Sequence, residues 1–441
     1  MRPEEFLTEE FANVQRALHE TLRYDYGPEE TRIYYKECES RLNEIKKQIA
    51  RIAPSEIWAQ LNELASLSVW ISLIERSRLG EFSWPFAELI RDIAKPLLTE
   101  KLYRGKIVIE PIIHVVAEGE GYQIVYELVP PPSTNHRFAI VAFPRPLKHH
   151  VLLHTIFGHE IGHTAQHTND AGDLIGTTVA DELTAAGHLS AAAEITRWLN
   201  DPGAPKEIKN NIAQYLADNG VSYTFPEVYV EKWVEELICD LFGLLLFGPG
   251  FVAAHKVLLR PTHRTPYEFD LLEPTHPPYA VRHRMLVRAL RLLGWEKPVT
   301  TIAHCNIHQA ELATINFVVD DPYSAWAAFF DDRQLTAAIH GLQNVLQQYG
   351  NFQYQQPESQ ILSDLVDRLR RRLPPIGADI DREGNPTFTE HSMTHSLLAG
   401  WVYWLGQDNL VKADALSFLD INKLCDQALL QERGILAGRT K

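Results

Sequence analysis

The sequence predicts a predominantly helical α+β protein in which a small antiparallel sheet is flanked by helical regions. Apolar residues recur at helical spacing up to about residue 98, and four short segments rich in β-branched residues follow. Helical patterns resume at about residue 147 and continue to about residue 436. Because 441 residues exceed one ordinary compact core, we expect two or three packed units.

The first helical region is predicted from the spacing of apolar residues between positions 4 and 98, for example Leu61, Leu64 and Ile71. Proline residues at positions 28, 54 and 85 mark its expected helix breaks. The composition of the sequence changes near residues 100 and 298, and proline residues mark expected linkers at residues 357–358 and 374–386. We therefore assign residues 1–100 to a helical N-terminal region, residues 101–298 to a central domain and residues 299–441 to a helical C-terminal domain.

The predicted sheet comes from four segments with strand composition, at residues 106–109, 112–117, 122–129 and 138–143. Turn-forming residues separate them, namely the run Gly119-Glu120-Gly121 and the run Pro130-Pro131-Pro132. Short strands joined by such turns are typical of antiparallel pairing. The last segment is also a hypothetical site for an extended peptide, which would pair with a free sheet edge.

Charge and cysteine usage restrict the partners and the compartment. The formal net charge of −15 would repel phosphate backbones and anionic lipid, so neither nucleic acid nor a membrane is an expected partner. The four cysteines, Cys38, Cys239, Cys305 and Cys425, lie far apart and lack CxxC spacing, which favours reduced thiols. The most apolar run, residues 237–254, is interrupted by Asp240 and by a Gly-Pro-Gly break. We expect a soluble cytoplasmic protein.

The strongest chemical signal is the stretch His159-Glu160-Ile161-Gly162-His163, on a helix predicted over about residues 147–167. Histidines four residues apart project from one helix face, so their ring nitrogens can bind one tetrahedral metal ion. Glu160 lies beside such an ion, where a carboxylate can take a proton from water. The pattern therefore predicts a zinc site of the kind that metallopeptidases use.

A catalytic zinc site requires a third protein ligand, and two glutamates compete for that role. Glu182 follows His163 by 19 residues, which is the spacing of aminopeptidase-type enzymes, but its neighbours lack the Asn-Glu-Gly setting of those proteins. Glu236 lies on a helix predicted to begin at Pro226 and to end at the Gly-Pro-Gly run 248–250. We rank Glu236 first and Glu182 second.

The helix that carries Glu236 has a face suited to a buried site. Asp240 lies one turn further along that face and can orient a ligand histidine, and Gly243 allows a second helix to approach closely. Acids among so many apolar residues need partners. Glu235 lies on another face, with Cys239 among its neighbours, and we expect it to be a solvated acid at the rim.

A third element, residues 275–282, is a proline-rich loop that leads into a basic helix near Tyr279. The ordered set HExxH, ExxxD and HPPxxxR resembles the gluzincin metallopeptidases of the HtpX heat-shock protease and CAAX prenyl endopeptidase type, over about residues 147–290. The resemblance implies a zincin-like catalytic core with one zinc ion per chain. It implies the following roles: zinc ligands His159, His163 and Glu236, general base Glu160, and orienting carboxylate Asp240. That group usually carries transmembrane helices, which we do not expect here.

The function expected from these observations is hydrolysis of peptide bonds by metal-activated water, in an endopeptidase with a restricted protein or peptide substrate. An oxyanion formed during the attack needs a donor besides zinc, and His276, Tyr279 and Arg282 are the candidates from the third element. We assign His276 and Arg282 catalytic roles together with Glu160. Two alternatives stay open: an aminopeptidase-type hydrolase with Glu182 as ligand, and a non-catalytic zinc-binding scaffold on a peptidase core.

Overall fold

The structure is a computed structural model of the chain. It describes residues 2–23, 29–77, 82–102, 107–117, 119, 121–128, 136–181, 183–185, 202, 225–259, 275–277, 279–295, 331–350, 352–377, 379–380, 386–387, 390–406 and 415–439. The chain divides into two units, Met1–His149 and His150–Lys441. The domain boundaries expected near residues 100 and 298 stay predictions, and the second of them lies outside the described residues.

The first unit begins with helices, as the sequence predicts. They are α1 (Pro3–Thr21), α2 (Glu29–Ile49), α3 (Ile57–Glu75) and α4 (Trp84–Leu98). The expected breaks at Pro54 and Pro85 coincide with helix starts, because proline suits the first helical turn, where no partner for its nitrogen is needed. The break expected at residue 28 lies outside the described residues.

A sheet of four described strands follows, with β1 (Glu100–Leu102), β2 (Ile107–Ala117), β3 (Gln123–Leu128) and β4 (His136–Phe143) in the order β1-β2-β4-β3. The sheet is mixed, so the prediction of an antiparallel sheet is wrong for one pair: β2 and β4 run parallel. The reason is topological. The chain runs up β2 and down β3, and β4 then enters between them, so β4 must share the direction of β2.

Two further expectations about these strands are corrected. The segments 106–109 and 112–117 form one strand, because Pro111 is accommodated within β2 opposite Arg137 instead of ending the strand. The strand β4 has β2 on one side and β3 on the other, so it offers no free edge to a peptide. Side chains on one face of the sheet, including Ile112, Val116 and Ile140, belong to the core that also contains α1, α2 and α3.

Among the described residues, one helical segment has the length and apolar composition to cross a membrane. This segment, Pro54–Glu75, includes α3 and has a hydropathy of 1.2. Its buried side chains, among them Leu64 and Ile71, belong to the helical core of the first unit. Composition of this kind also occurs in core helices, and the expected cytoplasmic location stays a prediction.

The second unit is built from helices around the apolar helix α7. The described helices are α5 (Phe157–Gln166), α6 (Asn169–Ile175), α7 (Phe225–Phe247), α8 (Pro249–Leu259), α9 (Tyr279–Leu292), α10 (Asp332–Val345), α11 (Ser359–Arg370), α12 (Glu390–Gly406) and α13 (Phe418–Arg439). A two-stranded ribbon joins Asp379–Ile380 to Pro386–Thr387. The predominantly helical α+β class predicted from the sequence is confirmed.

The helices that carry the candidate site begin and end close to the predicted positions, with one exception. Helix α7 ends at Phe247 and is followed by Gly248, whose φ of +60° lies in the left-handed region that glycine adopts after helix ends. Helix α9 begins at Tyr279 as expected. Helix α5 begins at Phe157 and not near residue 147. It is preceded by a short 3₁₀ turn, Leu153–Ile156, and the amide of Leu152 bonds to the side chain of Asn422.

Candidate metal centre

The site is formed where α5 crosses α7 at very short range. A Cβ added at Gly158 would lie 2.7 Å from Cα of Gly243, and a Cβ added at Gly162 would lie 2.8 Å from Cα of Cys239. Both distances are below the contact of real side chains, so only glycine fits at these two positions of α5. The pairing of Gly158 with Gly243 and of Gly162 with Cys239 also means that the two helices run antiparallel.

This crossing brings the three predicted ligands together. The Nε2 atoms of His159 and His163 lie 3.1 Å apart. Glu236 places Oε2 at 3.3 Å from Nε2 of His159 and Oε1 at 3.1 Å from Nε2 of His163. Ligand atoms at about 2.0–2.1 Å from a tetrahedral zinc ion are separated by about 3.3 Å. The distances between these four donor atoms, two of which are oxygens of Glu236, are therefore close to the ligand separation of a tetrahedral zinc site.

The outer nitrogen of each histidine faces a carboxylate from α7. Nδ1 of His159 lies 2.9 Å from Oδ1 of Asp240, and Nδ1 of His163 lies 3.2 Å from Oε1 of Glu235. An ionised carboxylate only accepts hydrogen bonds, so each Nδ1 carries the hydrogen and donates it. The Nε2 lone pairs then point toward one another and toward Glu236. Such facing electron pairs require a cation between them, either a proton or a metal ion.

Asp240 is held in place by Arg282 from α9. The guanidinium donates from Nε to Oδ2 at 2.8 Å and from Nη2 to Oδ1 at 2.7 Å, and both side chains are buried. Its Nη1 lies 3.2 Å from Oε2 of Glu236. That oxygen is nevertheless a buried atom without a hydrogen-bond partner of good geometry among the described residues, which fits a ligand atom awaiting a cation.

The placement of Arg282 bears on the role expected for it. The side chain is only 7% exposed, and its nitrogens are directed at two carboxylates of α7. A guanidinium held in this way favours a positioning role for Arg282 over the oxyanion contact that the sequence suggested.

The other two candidates for the oxyanion contact differ in exposure. His276 has a side chain that is 47% exposed, and its Nε2 lies 3.4 Å from Oε1 of Glu236. Tyr279 is buried and stacks at 5.5 Å on both His255 and His283.

The charges of the site shift its pKa values in opposite directions. Burial would raise the pKa of Asp240, but the Arg282 guanidinium outweighs burial and holds that pKa well below its usual range. Burial would also raise the pKa of Glu236, but its contacts with His159 and His163 and the charge of Arg282 lower it. Burial would lower the pKa of His163, but its bonds to Cys239, Glu235 and Glu236 raise it strongly.

Glu160 shares the neighbourhood of the two histidines. Its side chain is partly buried, and burial is the largest effect on it, raising its carboxyl pKa above the usual value; the charges of His159 and His163 lower that pKa in part. A carboxylate with a raised pKa is a better proton acceptor near neutral pH. This environment is consistent with the role of general base that the sequence motif suggests.

Cys239 is a competing third ligand. The donor atoms of His159, His163 and Cys239 all lie within 4.8 Å of one another, so this group also has the composition and approximate size of a metal site. Its sulfur already accepts a hydrogen bond at 3.0 Å from Nε2 of Gln166, and burial raises the pKa of the thiol to about 12. A metal needs the thiolate. We favour Glu236, whose oxygens lie 3.1 and 3.3 Å from the two Nε2 atoms and whose carboxyl pKa is lowered by its contacts with both histidines.

Glu235 was expected at the rim and was missed as a site residue. Its carboxylate contacts His163, and the His163 contact is the largest effect that lowers its pKa, to about 2. The antiparallel crossing explains the placement: a step of one turn from His159 to His163 along α5 matches a step back along α7 from Asp240 to Glu236 and Glu235. The spacings of the HExxH and ExxxD motifs would predict the contact of Glu235 with His163 only if the two helices were already known to run antiparallel.

An open cavity of about 520 Å³ borders the site on the side of Glu235. Its lining includes three acids and two neighbours of the motif, namely Asp181, Glu231, Glu235, Gln166 and His167. The cavity therefore has an acidic wall beside Glu235. Glu182, the alternative third ligand, lies outside the described residues.

Comparison of the chain with models of protein families, with curated proteins and with solved structures finds no match. The resemblance to gluzincin metallopeptidases thus depends on the three motifs alone. Their geometry in the structure, described above, is the basis for any functional conclusion.

The close helix crossing yields a first prediction. Gly162→Ala should push α7 away from α5, because the new Cβ would overlap the backbone of Cys239, at a cost of about 1–3 kcal/mol in the free energy of unfolding. Zinc affinity should fall as well, since the distances from His159 and His163 on α5 to Glu236 on α7 would increase. Gly434→Ala is the control, because it lies on exposed α13 with open space around it and should stabilise the protein by about 0.5–1 kcal/mol. Urea unfolding and zinc titration measure both variants.

The raised pKa of His163 yields a second prediction. A folded-state pKa above the ordinary value of 6.5 contributes stability that is complete below that pH and is lost as the pH rises through the folded value. The free energy of unfolding of the metal-free protein should therefore contain a part that declines above about pH 6.5. In His163→Gln this part should be smaller, because only the contribution of His159, whose pKa is also raised, would remain. Zinc should stabilise the protein more as the pH rises, because its ligands must be deprotonated.

Proposed function

We propose that the chain is a zinc-dependent metallopeptidase with one zinc ion held by His159, His163 and Glu236. The observation that carries this proposal is the close approach of their donor atoms, with 3.1 Å between the two Nε2 atoms and 3.1 and 3.3 Å from these nitrogens to the two oxygens of Glu236. The antiparallel crossing of α5 and α7 brings these side chains together. Hydrolysis of peptide bonds is the reaction that a site of this composition supports.

Zinc bound there would supply a Lewis acid that polarises the scissile carbonyl and lowers the pKa of a water molecule. Glu160 takes one proton from the attacking water and delivers it to the leaving amine, so the peptide bond breaks into a carboxylate and an amine without a covalent enzyme intermediate. His276, which is half-exposed beside Glu236, is the proposed donor to the oxyanion that forms on attack.

The remaining charged residues position the ligands. Arg282 fixes Asp240 with two hydrogen bonds, and Asp240 in turn orients the ring of His159. This buried chain of contacts keeps one ligand rigid, which a metal site needs for a defined geometry. The open cavity beside Glu235 offers space for a peptide or protein substrate next to the metal. We propose a cytoplasmic enzyme with a restricted substrate.

Exchanging Glu160 for glutamine separates metal binding from catalysis. Glu160→Gln should retain one zinc ion per chain, because Glu160 is not a ligand, and should reduce peptide cleavage by about 10²–10⁴-fold through loss of the general base. Elemental analysis of the purified variant and a peptide-library cleavage assay measure the two properties. Unchanged cleavage would refute the proposed role, and a wild type that retains zinc but cleaves no peptide or protein would favour a binding scaffold.

The identity of the third ligand is tested by a set of single variants. Glu236→Ala should lower zinc affinity by several orders of magnitude and abolish cleavage, because only two protein ligands remain. Cys239→Ser should retain both properties, since the sulfur is proposed to stay a neutral hydrogen-bonding group. Glu182→Ala should behave as the wild type. If zinc is instead lost from Cys239→Ser or from Glu182→Ala, that residue replaces Glu236 as the ligand.

A further inference from the structure

The carboxylate of Glu235 occupies a position that the proposed reaction does not yet use. Its Oε1 lies 3.2 Å from Nδ1 of His163, and its Oε2 accepts a hydrogen bond at 2.8 Å from Nζ of Lys232. His167 lies on the same side, with Nε2 at 3.5 Å from Oε1. Glu235 therefore connects a proposed metal ligand to two exposed basic side chains at the edge of the cavity.

We propose that Glu235 is a positioning residue that holds His163 in the Nδ1–H tautomer with Nε2 directed at the metal. This inference rests on the proposed zinc site and deepens it. Helix α7 would then supply one ligand, Glu236, and a supporting carboxylate for each of the two ligand histidines: Asp240 for His159 and Glu235 for His163.

The two supports differ in their surroundings. Asp240 is completely buried and bound to Arg282, so the His159 side of the centre is closed to water. The side chains of Glu235 and His163 are 18% and 27% exposed, and the contact lies at the cavity wall. A ring at a water-accessible edge has more freedom to rotate and to exchange its proton between nitrogens than a ring in a closed core. The orientation of the His163 ring therefore depends more on a fixed hydrogen-bond acceptor, Glu235, than the orientation of the His159 ring depends on Asp240.

Lys232 gives Glu235 that fixed orientation. Its ammonium group holds Oε2, which leaves Oε1 directed at His163. An exposed ion pair of this kind adds little to the stability of a fold, so stability alone does not account for the arrangement. A carboxylate behind a ligand histidine raises the basicity of the ring and keeps the lone pair of its other nitrogen free for the metal.

The chain offers a matched control. Glu231 lies one turn before Glu235 on α7 and lines the same cavity, but none of the contacts described for His163 involves it. Removing Glu231 takes away the same charge from the same groove. Comparison of the two positions therefore separates support of His163 from the general effect of negative charge on a cation.

The experiment measures zinc affinity of the full chain by competition with a chromophoric chelator, for wild type, Glu235→Ala, Glu235→Gln and Glu231→Ala. Loss of a supporting carboxylate should weaken zinc binding by about 10–100-fold in Glu235→Ala. Glu235→Gln should lie between this variant and wild type, since its amide oxygen still accepts from Nδ1. Glu231→Ala should change the affinity by less than about threefold. Histidine ¹⁵N–¹H spectra of the metal-free protein should show Nδ1–H on His163 in wild type and a mixture of ring states in Glu235→Ala.

Each outcome decides the proposal. Equal losses in Glu235→Ala and Glu231→Ala, or an unchanged His163 spectrum in Glu235→Ala, would overturn it and leave the zinc site intact. A wild-type chain that binds no zinc would overturn the proposed function, and this proposal with it. Thermal unfolding of the metal-free variants checks the fold, and if Glu235→Ala does not fold, a comparison of Glu235→Gln with Glu231→Gln makes the same decision.

Discussion

The structure of the second unit depends on the close antiparallel contact between α5 and α7. Gly158 and Gly162 remove side chains from one face of α5, so the backbone of α7 can lie against it at Gly243 and Cys239. The same absence of side chains sets the distance between the histidines of α5 and the acids of α7. A wider crossing would leave His163 and Glu236 too far apart to share one ion. The packing of two helices thus fixes the dimensions of the candidate metal centre.

Burying so many charged groups has a cost that the geometry offsets. An unpaired carboxylate such as Asp240 in a fully buried position would be strongly destabilising. Arg282 donates two hydrogen bonds to Asp240, and Nδ1 of His159 donates a third. The centre is thereby divided into a closed half around Asp240 and a half-open one around Glu235. The closed half is the more tightly held of the two, and the half-open one lies beside the cavity that Glu235 lines.

Local patterns predicted the helices well, because their signals are short-range. Pro226 and Gly248 act within one turn, so the extent of α7 follows from the sequence. The sheet was predicted less well, since strand composition does not specify which strands pair. The position of β4 between β2 and β3 depends on contacts between separate segments of the chain, and it makes the β2–β4 pair parallel. The start of α5 was placed too early for a similar reason: Leu152 bonds to Asn422, some 270 residues away in sequence.

The sequence by itself determined which side chains are available for metal chemistry and that His159 and His163 share one face, because helical spacing is a local property. It also singled out Glu236 and Asp240. Only the tertiary structure decided how α7 meets α5, and with it the place of Glu235 behind His163 and of Arg282 behind Asp240. These contacts span distant parts of the chain. Their geometry arises from the packing of Gly158 and Gly162 against α7. The spacing of residues within one helix does not specify how that helix packs against another.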